Sequence, residues 1–114
     1  MPNFIIEYSA PLSSQVSDDE LMDKVFVGAK NSGHFPPEAV KIRTQKRDSF
    51  RLHGNQRDFL HVSAHILSGR TDAQKTEISN AVIAELKTLS LNSVFLSVEI
   101  VDIHRASFVD HEFA

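Results

Sequence analysis

Apolar residues recur along this chain with two different periods, and the switches between them divide it into strands and helices. In residues 3–8, Phe4, Ile6 and Tyr8 share one face and Ile5 and Glu7 the other, which predicts a first strand. Ala10-Pro11 ends it, and residues 11–16 read as a loop. Ser17 with Glu20 forms a capping box, and three acidic residues in the first turn suit the helix dipole. Leu21, Met22, Val25, Phe26 and Ala29 then recur at helical spacing. Asn31-Ser32-Gly33 stops this helix, with Gly33 as its left-handed cap, and Phe35-Pro36-Pro37 is a stiff connector.

Residues 39–46 alternate again. Val40, Ile42 and Thr44 point one way, Lys41, Arg43 and Gln45 the other, so the second strand carries a basic row. Residues 47–57 are polar, with Gly54-Asn55 as turn chemistry and Phe50 and Leu52 as candidates for a short extra strand. The clearest strand is 58–67, with Leu60, Val62, Ala64 and Ile66 on one face and Phe59, His61, Ser63, His65 and Leu67 on the other. Ser68-Gly69-Arg70 breaks it. Thr71 with Gln74 repeats the capping box, and Ile78, Val82, Leu86 and Leu89 form the stripe of a second helix. Asn92-Ser93 ends that helix, and Val94 to Ile103 is a long last strand. The tail from His104 carries Phe108 and Phe113, which suits docking on a neighbour.

The order is β-α-β, a short excursion, then β-α-β, within one domain over residues 1–114. Right-handed crossovers make each half a parallel pair, and the two pairs join into one sheet. Each helix has a single apolar stripe, so both cover the same face. The expected class is α/β (α+β): a four-stranded mixed sheet with two helices on one face. The other face mixes Phe and Leu with polar residues, which predicts burial against another subunit.

Composition narrows the function classes. The chain has 114 residues, few for a stable monomer with a bare sheet face. Net charge is −3, which argues against general affinity for nucleic acid or membrane. With no cysteine, disulfides and thiolate chemistry are excluded. There is neither a signal-peptide pattern nor an apolar run of membrane-spanning length, so the expected location is cytoplasmic. His61 and His65 lie four apart on a strand, whereas strand ligands favour a spacing of two. No carboxylate cluster supports them, so no metal is expected and His61 is assigned to a subunit interface.

The candidate chemistry lies at the start. Pro2 follows the initiator methionine and heads the first strand. Within a chain, proline nitrogen is an amide without basicity. At a free terminus it is a secondary amine, able to act as a general base near neutral pH. Methionine before proline is normally cleaved, so processing alone also accounts for the residue. Lys41 and Arg43 are neighbours on one strand face, and Arg70 follows Gly69 at a strand-to-helix loop, where α/β sheets bind ligands. The helix N-terminus there adds amide donors. Three cations and one amine suit a small dicarboxylate.

Met1-Pro2-Asn3-Phe4-Ile5-Ile6-Glu7-Tyr8-Ser9 resembles the opening of the 5-carboxymethyl-2-hydroxymuconate Δ-isomerases of the tautomerase superfamily. Gly33-His34-Phe35-Pro36, Phe59-Leu60-His61-Val62 and Gly69-Arg70 fit the same family, in order and spacing, over nearly the whole chain. The resemblance implies a homotrimer, no cofactor, Pro2 as catalytic base, and Arg70 as a substrate-binding arginine. Where the family has an arginine two before a second arginine, this chain has Lys41 followed by Arg43. Lysine keeps the charge but loses the planar two-pronged grip on a carboxylate. The tail from His104 departs from the family pattern.

The resemblance implies a proton shift in a dienol carboxylate such as 5-carboxymethyl-2-hydroxymuconate. Two rival readings use the same scaffold. One is a non-catalytic trimer that binds a small acid or a partner protein. The other is a hydrolytic relative in which Pro2 activates water, which calls for an extra carboxylate near Pro2; Glu7 lies too far along the strand.

Overall fold

A computed structural model describes residues 1–114. Strands β1 (Asn3–Ser9), β2 (Lys41–Arg47), β3 (Asp58–Leu67) and β4 (Val94–Ile103) form one sheet in the order β2-β1-β3-β4. Helices α1 (Asp18–Asn31) and α2 (Asp72–Leu86) complete the two βαβ halves. Each half is a parallel pair, β1 with β2 and β3 with β4, and an antiparallel β1–β3 pairing joins them. The fold is therefore the predicted one, and the expected mixed character of the sheet comes from that central seam.

Both capping boxes form. Ser17 accepts from the Glu20 amide at 3.1 Å, and the Glu20 carboxylate accepts from the Ser17 amide. Thr71 and Gln74 make the same exchange on α2. These bonds satisfy amides that a helix start otherwise leaves unpaired. Gly33, at φ +76°, ends α1 as expected.

The core lies between sheet and helices. Phe4, Ile6, Leu60, Val62 and Ala64 are fully buried and face Leu21, Val25 and Ala29 of α1 and Ile78 and Val82 of α2. The helices pack on each other at Gly28. A side-chain carbon there would lie 2.7 Å from the Val82 backbone, so this crossing requires glycine. Tyr8 ties β1 to the start of α1 by donating its buried hydroxyl to Asp18. Burial, and then that bond, push its phenol up to about 12. At the far end of β1, Ser9 donates to the buried Asp58 at 2.8 Å.

Three local expectations fail. Helix α2 ends at Leu86, capped at Lys87, short of the Leu89 and Asn92-Ser93 expected to extend and end it. Residues Ala10–Ser14 form a 3₁₀ helix rather than a loop, with Pro11 near its start and Leu12 buried. Proline sets the φ such a turn needs, and Leu12 anchors it to the core. Phe50 and Leu52 form no strand. Phe50 instead packs edge-on against Phe59, with ring centroids 5.7 Å apart, so burial rather than pairing holds the excursion.

The sheet face away from the helices is open in the single chain. On it, His61 is hydrogen-bonded to Ser97 and Glu99 of β4, at 2.6 Å each. Phe95 is 59% exposed on the same strand. No helix is long and apolar enough to cross a membrane.

Candidate active site

Strand polarity determines what surrounds Pro2. β1 runs antiparallel to β3, with Asn3 opposite His65, so the head of β1 lies beside the end of β3. The parallel register of β1 with β2, Asn3 opposite Lys41, brings the start of β2 to the other side. The Lys41 amide donates to the Pro2 carbonyl at 3.1 Å. Pro2 is buried at this junction.

On the β3 side lies a depression of about 100 Å³, lined by Pro2, Phe35, Ile66, Arg70 and Arg105 together with Met1 and Leu67. Gly69 turns the chain into it at φ +130°, a conformation closed to side-chain-bearing residues. Arg70 is held on two sides. It donates to the His34 carbonyl at 3.1 Å, and its guanidinium carbon lies 4.8 Å from the centre of the Phe35 ring. Phe35 packs edge-on against Phe4 in the core, at 6.0 Å. The arginine is thus braced by groups that leave its other donors open. No carboxylate pairs with it; the chain's five ion pairs lie elsewhere.

On the β2 side lies a second depression of about 660 Å³, lined by Lys41, Glu38 and Ala39 and by Asp110, His111 and Glu112 of the tail. Met1 is the one residue common to both linings. Its amino group is pulled below the ordinary 8.0, chiefly by burial and next by the charge of Lys41, with Asp110 acting in the opposite sense. Desolvation and a neighbouring cation both disfavour an ammonium ion.

Pro2, Arg70 and Lys41 are therefore brought together, with Pro2 between the two cations. Arg43 lies further along β2, exposed, and lines neither depression. Sequence reasoning passed over two residues. Phe35, taken as part of a connector, is the platform under Arg70. Arg105, in the tail, reaches the same depression because β4 is parallel and in register with β3, Ile103 opposite Leu67. Equal strand lengths were the available signal for that. Asp110, His111 and Glu112 of the tail line the depression beside Met1 and Lys41, while Phe113 stays 91% exposed.

The family model for 5-carboxymethyl-2-hydroxymuconate isomerase matches residues 2–112. The chain belongs to that family. Its members are isomerases of the tautomerase superfamily. No curated protein matches. Among solved structures, a 5-carboxymethyl-2-hydroxymuconate isomerase from Deinococcus radiodurans R1 is 21% identical, with a TM-score of 0.77, over 98% of this chain and 90% of its own. A 5-carboxymethyl-2-hydroxymuconate delta-isomerase is 16% identical at a TM-score of 0.74, covering 100% of this chain and 89% of that one. A fused 4-OT wild-type symmetric trimer is 13% identical at 0.66, over 88% and 85%. Likeness at these identities extends to the fold.

Proposed function

We propose that this isomerase works without a cofactor, using Pro2 as general base and acid on a small dienol carboxylate, after Met1 has been removed. The observation that carries the reading is the position of Met1, which alone lines both depressions. Its loss leaves the Pro2 nitrogen as a free secondary amine where the two meet, with Arg70 on one side and Lys41 on the other. Burial and then the charge of Lys41 lower the Met1 amine, and the same surroundings favour a neutral amine at this end of β1.

The neutral amine takes the proton of the substrate's 2-hydroxyl group. The oxygen becomes a ketone as the double-bond electrons shift along the chain, and the protonated Pro2 returns the proton to carbon C5. The result is an allylic shift to the conjugated ketone. Arg70 holds one carboxylate and stabilises the dienolate charge. Lys41 is the second cation of the site. Arg43 stands further from it and contributes through its charge. A dienol with more than one carboxylate, such as 5-carboxymethyl-2-hydroxymuconate, matches this cation count.

Incubation of processed protein with that dienol, and with a simple enol such as phenylenolpyruvate, tests the reading. Ketone formation well above the buffer rate is expected. A rate equal to buffer with both compounds would leave a non-catalytic binder of small acids on this scaffold.

The assembly is proposed to be a homotrimer that covers the open sheet face. An exposed edge of ten residues with Phe95 on it is a surface that isolated chains rarely leave bare. Light scattering at micromolar concentration should give three times the 12.8 kDa chain mass. A monomeric mass would contradict it.

A further inference from the structure

Arg105 shares the depression of Pro2 and Arg70. It begins a short 3₁₀ turn, Arg105–Ser107, directly after β4. Its Nε donates to the Ser68 carbonyl at 2.8 Å. Its Nη2 would lie 3.7 Å from a side-chain carbon placed on Gly69, so the guanidinium lies against the turn that carries Arg70. It has no ion pair.

Arg70 and Arg105 are therefore built alike. Each is tied by one donor to a backbone carbonyl, of His34 and of Ser68 respectively. A guanidinium has five N–H donors in a fixed fork, so each keeps most of its fork free. Two cations facing one small depression repel, and that repulsion is relieved when an anion binds between them. An untethered surface arginine would lose side-chain freedom on binding; this one has already lost part of it. Proximity of the two arginines to Pro2 selects an acid whose charge lies at the reacting end or one short span beyond it.

We infer that Arg105 is a substrate-binding residue which grips a second carboxylate, beside the one that Arg70 holds, and makes the site selective for dicarboxylic over monocarboxylic acids. This rests on the proposed isomerase site, but its test does not require turnover.

Calorimetry on the processed full-length protein measures binding of adipate and of hexanoate, which share a six-carbon chain and differ by one carboxylate. The intact protein should bind adipate the more tightly. Arg105→Ala should weaken adipate about tenfold or more, the scale of one charge-assisted hydrogen bond, and leave hexanoate within about twofold. Arg105→Lys should fall between the two, because charge remains and the fork is lost. Loss of both ligands together in Arg105→Ala would show that the residue only supports the Gly69 turn, and would overturn the inference. Adipate binding unchanged in Arg105→Ala would overturn it equally. Adipate selectivity that depends on Arg105, in protein with no turnover of any enol, would uphold this inference while sinking the isomerase mechanism.

Discussion

Protein from which Met1 has been cleaved should isomerise its dienol, and protein that retains Met1 should not. The retained residue acylates the Pro2 nitrogen, draws its lone pair into the amide and removes the base. Positioned general-base catalysis contributes roughly 10²–10⁴-fold, and the gap between the two forms should lie in that range. Pro2→Ala leaves a primary amine after processing, so activity should fall without vanishing; imine formation with ketone products then becomes possible. The pH dependence follows from the surroundings. Burial and then Lys41 pull the Met1 amine below its ordinary 8.0, and the Pro2 amine proposed as base acts in its neutral form. The value of kcat/KM should rise with pH to a plateau and fall as pH drops through the lowered pKa. Intact-mass measurement paired with an assay of each form decides the matter. Full activity in a sample whose mass shows Met1 wholly retained would end the proline-base mechanism.

The next largest effect is expected at Arg70. Its truncation to alanine removes a charge-assisted bond to the substrate, about 1.5–3 kcal/mol, or roughly 10- to 150-fold in kcat/KM. The loss should fall on kcat as well as KM, because the same charge stabilises the dienolate. Arg70→Lys should recover little. Lysine keeps one positive charge but loses the flat contact with Phe35 and the fork that leaves donors free beyond the His34 carbonyl. Lys41→Arg should be tolerated, or improve a substrate of the family type, since it restores a two-pronged grip. An unchanged rate in Arg70→Ala would make Arg70 an ordinary loop cation.

Much of the architecture was readable in the residues because the signals are local. Alternation in 3–8 and 58–67 and the two capping boxes each depend on neighbours within four positions. The buried sets Phe4-Ile6-Tyr8 and Leu60-Val62-Ala64-Ile66 came out as read. Readings failed where a local signal was outweighed by distant packing. Phe50 and Leu52 have strand-like spacing, but Phe59 offers Phe50 an aromatic partner and no strand edge is available to it. The turn at Ala10–Ser14 depends on Leu12 reaching the core. Gly28, an unremarked glycine in a helix, is explained only by the Val82 backbone of the other helix.

By itself the residue order determined two βαβ halves, their buried faces, the bare sheet face and the candidates Pro2, Arg70 and Lys41. Only the tertiary structure decided which cations meet Pro2. The antiparallel seam between β1 and β3 brings Arg70 to it across 68 positions of chain, while the parallel β1–β2 register brings Lys41 and leaves Arg43 aside. The in-register β3–β4 pair carries Arg105 into the same depression. Periodicity records which way a side chain faces its own element; strand direction and register arise from contacts between segments far apart in the chain, and those contacts determine which charged groups share a site.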